Sequence, residues 1–377
     1  MSNGDLEKFA EAIRCSGFCL EYRASSTLQK HGWSVLNNRY YVDAETSRAR
    51  EMDIIAYKAL NLEKEETIYY TVLIISCKKS EANNWGFLTK GYNKPDPNIN
   101  FYPVSNWTSD RALRYCLSEE TWKQEFRRQI DRQKMLQRVY AIDNQVFAFQ
   151  EMDRKSGKIY DDKAIYDSVS SLVKAHYFEV ANLESRIKNT RFYNFNLISV
   201  AETTFVELHF DEKDKVVPKP LNEIKYLNRF IVGKEDDFYR IHFVTSDHFE
   251  EVLSAYDLLA EWNADYCRRL TKRFYETVFN DDKKTSVFLN DFKENLVSLT
   301  KSILLKRFGS APDCNIEGIY LDTKKSHLHI LMGGIEDNMV TILNENKLLA
   351  EMTKRRLLRW YRYSGSFEYE RSPDLPF

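Results

Sequence analysis

Three residues carry charge where the chain around them is apolar or borders an apolar stripe: Glu21, Asp53 inside MDIIAY, and Lys78 at the end of IYYTVLIISCKK. Two carboxylates and an amine are the groups needed to hold a hard divalent cation through oxygen, orient a water beside it and offset charge developing on a phosphate. The 25 residues from Asp53 to Lys78 allow a hairpin that sets the two strand ends side by side. Alternation along a strand places Asp53 on the face of Ile55, and Lys78 on the face of Ser76 and Ile74. Glu21 reaches that face from a helix packed across the sheet. A glutamate in an N-terminal helix is commonly a surface residue, but Glu21 lies at the edge of the stripe Leu20, Ala24, Leu28. Asp53 is harder to assign to solvent, because an unpaired carboxylate in a buried strand is costly. Lys78 and Lys79 also suit a solubilised strand end, although ten residues of core strand precede them.

The elements that must position these groups follow from periodicity. Leu6, Phe9 and Ile13 fall on one helical face, and after Gly17 the series Leu20, Ala24, Leu28 continues until His31-Gly32 stops it. Trp33–Val42 and Arg50–Tyr57 read as strands. Ile68–Cys77 is apolar and β-rich throughout, as in a central strand covered on both faces. Residues 83–110 hold three of the eight prolines and read as loop. A charged amphipathic helix is expected over 118–140, with Trp122, Phe126, Ile130 and Leu136 inward, then a short strand Val146–Phe149. The stretch from Asp161 is helical, with Ile165, Val169, Leu172, Val173 and His176 on one side. Phe192–Val200 and Thr203–Phe210 read as a hairpin turning at Ala201-Glu202. DEKDKVVPKP reads as a solvated loop, Tyr239–Val244 as a strand, and Asp247 as the N-cap of a helix carrying Phe249–Leu259. Beyond 256 the pattern is mostly helical, with a hairpin of Ile316–Leu321 and His327–Leu331 around DTKKS and a surface tail.

Composition narrows the class. At 377 residues the chain can bury a sizeable core and suggests two or three domains. Aromatics at 14% with only 12 Gly and 8 Pro argue against disorder and long linkers. A net charge of −1 neither supports nor excludes a polyanionic partner, since a local basic groove is compatible with it. Six cysteines without CxxC spacing read as reduced thiols in a cytoplasmic protein. No signal peptide or membrane span is read from the sequence. Walker, GxGxxG and GxSxG motifs are missing. His327 and His329 alternate on a strand, but no further ligands accompany them in sequence. The run TKRRLLRWYRY (353–363) mixes five basic residues with aromatics. It suits nucleic-acid contact and a helix with Leu357 and Leu358 inward equally well.

The segments GFCLEYRASSTLQKHGW, REMDIIAYKA and YYTVLIISCKKSEANNWGF together resemble bacterial proteins of the PD-(D/E)xK nuclease superfamily, best over residues 17–90. There the order is a helix Glu, a strand Asp, then a strand ending in an acid-x-Lys, with a tryptophan following, here Trp85. The resemblance implies Glu21 as the helix carboxylate, Asp53 as the central metal ligand and Lys78 as the catalytic lysine. It departs at Ser76, where the family carries a carboxylate. The cation would then be held by Asp53, Glu21, the Cys77 backbone carbonyl and water. Alternatively Glu51 lends an acid, or the site binds nucleic acid without cutting it. A glutamine of the following helix, Gln129 or Gln133, has a counterpart in some such families, and Lys79, Arg128 and Arg132 are expected against nucleic acid.

The expectation is therefore an α/β, restriction-endonuclease-like mixed sheet flanked by helices, followed by a mostly helical region with a small hairpin. Residues 1–150 would form the nuclease core, 151–255 its α/β continuation, and 256–377 a region contacting substrate or partner. The implied activity is a cytoplasmic, Mg²⁺- or Mn²⁺-dependent deoxyribonuclease, in restriction or anti-phage defence. DNA is favoured over RNA, with no membrane association, and the chain acts as a homodimer or with a partner defence protein. The alternative is a degenerate nuclease-fold subunit that binds without cleaving.

Overall fold

The computed structural model describes residues 3–61, 67–92, 102–186, 189–310, 312–322 and 327–373. The expected loop at 93–101 and the DTKKS turn after Asp322 lie outside them. The chain divides into two compact units, Met1–Asp110 with Thr121–Tyr266, and Arg111–Glu120 with Cys267–Phe377.

In the first unit, helices α1 (Asn3–Arg14) and α2 (Phe18–Lys30) precede strands β1 (Ser34–Val42), β2 (Ala49–Asn61), β3 (Ile68–Lys79), β4 (Asn83–Lys90) and β5 (Ser105–Thr108). Helix α3 (Arg111–Ser118) belongs to the second unit, and α4 (Trp122–Ile130), α5 (Lys134–Tyr140), β6 (Gln145–Asp153), α6 (Lys163–Ala181) and α7 (Leu183–Arg186) return to the first. Strands β7 (Arg191–Glu202), β8 (Phe205–Phe210), β9 (Val216–Leu221), β10 (Glu223–Val232) and β11 (Glu235–Thr245) follow, and α8 (Phe249–Glu276) runs on into the second unit.

The main sheet has the order β1-β2-β3-β7-β11-β10, with β5 also on β7. It is mixed: β3 and β11 are parallel to β7, and the other pairings are antiparallel. β3 lies at its centre with Val72 to Ile75 fully buried, as a continuous apolar run requires when both faces are covered. On one face, Val72, Ile74, Phe195, Leu197, Ile241 and Phe243 form a core with Val169, Leu172 and Val173 of α6. On the other, Leu20, Ala24 and Leu28 turn the α2 stripe inward, and α8 joins through Asn263 to Thr71 and Tyr256 to His242.

A second sheet, β6-β4-β8-β9, corrects three sequence expectations. Residues 83–90 and 105–108 are strands rather than loop, because NNWGFLTK buries Trp85 and Phe87 completely. β7 and β8 form no hairpin; both β3 and β7 leave the main sheet at the same level and continue as the parallel pair β4 and β8. The backbone bonds Ser80 N–H to Glu202 O and Trp85 N–H to Thr204 O bridge that crossing. VVPKP is an exposed edge strand, where prolines are tolerated because their missing N–H faces solvent. The expected helix over 118–140 is broken at Asp131–Gln133, although Trp122, Phe126, Ile130 and Leu136 are all buried. Asp247 sits in a 3₁₀ turn ahead of α8, its carboxylate accepting from Ser246.

In the second unit, α9 (Asp282–Lys293), α10 (Leu296–Phe308), α11 (Asp337–Glu345) and α12 (Lys347–Tyr361) pack with a small sheet of β12 (Asn315–Asp322), β13 (His327–Gly333) and β14 (Phe367–Arg371). The tail is thus partly a third strand, running parallel to β13 and burying Tyr369, rather than a wholly surface segment. The chain is mixed α/β, with a multi-strand sheet flanked by helices, a largely helical C-terminal region and a small sheet within it.

Candidate active site

Glu21, Asp53 and Lys78 come from three different elements, and Asp53 lies at a break in the pairing of β1 with β2. β1 and β2 pair regularly from Ser34–Tyr57 to Asn37–Ile54 and again from Arg39–Met52 onward, but no pair joins Asn38 to Asp53. Asn38 has a left-handed φ of 52° there, a conformation asparagine tolerates better than other non-glycine residues. The faces exchange across this point. Asn37 accepts from Ser25 of α2, whereas Arg39, two residues on, pairs with Glu179 of α6. Likewise Met52 and Ile55, an odd number apart, share the core beneath α6. Simple alternation, which places Asp53 with Ile55, therefore does not hold at Asp53.

Asp53 Oδ2 accepts a hydrogen bond from the Cys77 backbone N–H at 2.7 Å, which fixes the carboxylate against the end of β3. A charged acceptor makes this one of the stronger hydrogen bonds available. Glu21, in the first turn of α2, is half-buried, and its pKa is raised, chiefly by burial and then by the nearby Asp53 and Glu51 carboxylates, with Lys78 acting the other way. Glu51 is exposed and accepts from the Asn38 side chain at 2.6 Å. Three acids and one lysine thus share a field at the place where β2 and β3 separate from regular pairing. The acids outnumber the lysine, and their repulsion adds to the burial that chiefly raises the Glu21 pKa.

The Cys77 thiol is buried, and burial first, then Asp53 and Glu21, hold its pKa well above the ordinary thiol value. It is protonated at neutral pH, and its backbone amide is already committed to Asp53. Ser76 is 4% exposed, lies beside Ser199 in the parallel register, and its hydroxyl has no partner among the described residues. It is enclosed in the sheet. Lys79 bonds to Glu81 at 2.9 Å and lies 3.8 Å from Glu202, which in turn binds Arg23 of α2. That exchange ties the ends of β3 and β7 to the helix carrying Glu21. Trp85 stacks on Phe205 with ring centroids 5.7 Å apart, as a core residue of the second sheet.

The remaining expected residues are on α4 and just after it. Gln129 and Arg128 both bond to Glu125 of their own helix, and Arg132 is exposed. The bonds of Arg128 and Gln129 thus stay within α4 rather than reaching Glu21, Asp53 or Lys78. His327 and His329 share a face, and β14 adds Glu368 and Glu370 beside them. Among the described residues no group of three or more His, Cys, Asp or Glu side chains is arranged to hold a metal ion, and none of the six cysteines is in a disulfide. No described helix is long and apolar enough to cross a membrane.

Asn38 and the Glu202–Arg23 brace are the site residues that sequence reasoning passed over. The Asn37-Asn38 pair inside an otherwise β-rich run was the available signal for a break. Comparison of the chain with protein-family models, with curated proteins and with solved structures finds no match.

Proposed function

We propose that the first unit is a metal-dependent phosphodiesterase of the PD-(D/E)xK type acting on nucleic acid, DNA in preference to RNA. One observation supports the reading: Asp53, held by the Cys77 amide, lies within electrostatic reach of Glu21, with Glu51 and Lys78 acting on the same glutamate. The fit to a divalent cation is one of charge. Magnesium is commonly bound by one or two carboxylates with water filling the other positions, and Asp53 and Glu21 would be those carboxylates, with Glu51 beside them. When bound, such an ion polarises the phosphate and lowers the pKa of a coordinated water. The chain's own contribution is positional. The Cys77 amide locks the Asp53 carboxylate, the packed α2 stripe holds Glu21, and Lys78 supplies positive charge for a phosphate oxygen or orients the attacking water.

A second reading, nucleic-acid binding without cleavage, draws on Ser76, a buried neutral hydroxyl where the family has a third acid. Wild type, Asp53→Ala and Lys78→Ala incubated with plasmid, single-stranded DNA and RNA in Mg²⁺ and Mn²⁺ separate the two. Cleavage by wild type and its loss in both variants supports the nuclease. Equal cleavage in all three proteins removes the proposed centre, and binding without cleavage in wild type favours the second reading. A place in restriction or anti-phage defence is part of the same proposal and rests on the family resemblance.

A further inference from the structure

β7 changes neighbours partway along its length. Its first part pairs with β5, from Phe192–Thr108 to Phe195–Ser105, and its second part pairs with β11, beginning at Leu197–Ile241. Where β5 starts and β11 has not yet joined, the sheet leaves a gap, and a cavity of about 90 Å³ opens there. Pro103, Ser105, Lys123, His176, Asp237 and Arg240 are among the residues that line it.

Arg240 is the unusual member. It is 8% exposed, and its guanidinium meets two neutral oxygens, the Asn196 side-chain carbonyl at 3.1 Å and the Pro103 backbone carbonyl at 3.4 Å. It also lies over the Tyr140 ring, 4.1 Å from the centroid. The Asn196 amide donates to Asn194, so its carbonyl is turned to the arginine. None of these partners carries a charge, so among the described residues no hydrogen-bonded anion offsets the buried cation, and that is expensive. Burial chiefly lowers the pKa of nearby Lys225; Glu223 and Asp143 oppose this, and Arg240 and Arg138 add to it by less.

The second feature is a donor. His176 Nε2 and Ser105 Oγ are 2.6 Å apart, and His176 Nδ1 has no partner among the described residues. An orphaned N–H costs more than an orphaned lone pair, so the proton belongs on Nε2, donating to the serine oxygen. The Ser105 hydroxyl hydrogen is then available to the cavity. The cavity, about 90 Å³, has room for a tetrahedral oxyanion.

We infer that this cavity is a binding site for a single phosphate group, held by Arg240 and Lys123 through charge and by the Ser105 hydroxyl through a hydrogen bond. Asp237, at the exposed rim, limits its affinity. The site is independent of the proposed cleavage centre. The phosphate belongs either to free inorganic phosphate or to the terminal phosphate of a nucleotide chain.

Isothermal titration of the whole protein with inorganic phosphate, and with a short oligonucleotide with and without a 5′-phosphate, tests it in metal-free buffer where cleavage plays no part. Because Arg240 is buried and its replacement can unfold the chain, the decisive variants are at the exposed positions. Lys123→Ala should weaken phosphate binding about tenfold and Asp237→Asn should tighten it by a similar factor, the scale of one unit charge at the edge of a protein. Ser105→Ala should weaken it several-fold. Saturable binding of inorganic phosphate with these three responses supports a free-ion site. Binding that needs the 5′-phosphate, with the same responses, supports a chain-end site. No saturable binding of either ligand, or binding indifferent to all three substitutions, overturns the inference.

Discussion

The hydrogen bond between the Cys77 amide and Asp53 allows structure and chemistry to be separated at one residue. Asp53→Ala removes the acceptor and strands a backbone N–H near the end of a buried strand. A hydrogen bond to a charged group is worth about 1.5–3 kcal/mol. Part of that loss is returned, because removing the carboxylate also relieves its repulsion of Glu21, which raises the Glu21 pKa. That relief is on the order of 1 kcal/mol for partly solvated charges. The net expectation is a loss of about 0.5–2 kcal/mol, equivalent to roughly 1–8 °C in Tm for a unit of this size. Asp53→Asn keeps a carbonyl oxygen for Cys77 and removes the charge, so the bond is weakened while the repulsion disappears, and its Tm should lie within about 2 °C of wild type. Both variants should lose Mg²⁺-dependent stabilisation and cleavage. The assay is a thermal melt of the three proteins with and without Mg²⁺, followed by plasmid cleavage. An Asp53→Asn protein as destabilised as Asp53→Ala would refute the hydrogen-bond reasoning. One that keeps a wild-type Mg²⁺ shift and full cleavage would refute the metal assignment.

Other outcomes follow from the same geometry. The folded-state pKa of Glu21 lies above its unfolded value, so the folded protein binds this proton more tightly and loses stability as pH rises through the window above the ordinary glutamate value. Glu21→Gln should therefore raise the metal-free Tm at neutral pH but not at acid pH, and wild-type Mg²⁺ affinity should fall as pH drops into that window, read by titration calorimetry. His176 and His242 behave oppositely: burial pushes both down to about 4, so the unfolded chain takes up these protons first. Stability should decline as pH falls from about 6.5 toward 4, and His176→Gln should flatten the slope of a pH series of denaturant melts. Leu28→Ala, at a fully buried position of the α2 stripe, should cost about 2–5 kcal/mol in a denaturant melt, and cleavage should disappear at the lower temperature at which that protein melts.

Much of the architecture was legible in residue order. The run Ile68–Cys77 identifies a central strand because only a strand covered on both faces tolerates so unbroken an apolar sequence, and the Leu20, Ala24, Leu28 stripe identifies the helix lying against it. The three candidate site residues were likewise visible as charges set in or beside apolar elements. Pairing was not legible. β7 and β8 have the local pattern of a hairpin, but Glu202 and Thr203 carry the chain straight from one sheet to the next. Strand partners separated by more than 100 residues, such as Lys78 beside Ala201, leave no periodic trace in either segment. The same holds at Asp53. Its type and strand are properties of the sequence, but the direction of its carboxylate follows from a break shared with β1 and from an amide on β3. Alternation is a rule for one regular strand, and only the contacts between strands decide where it fails.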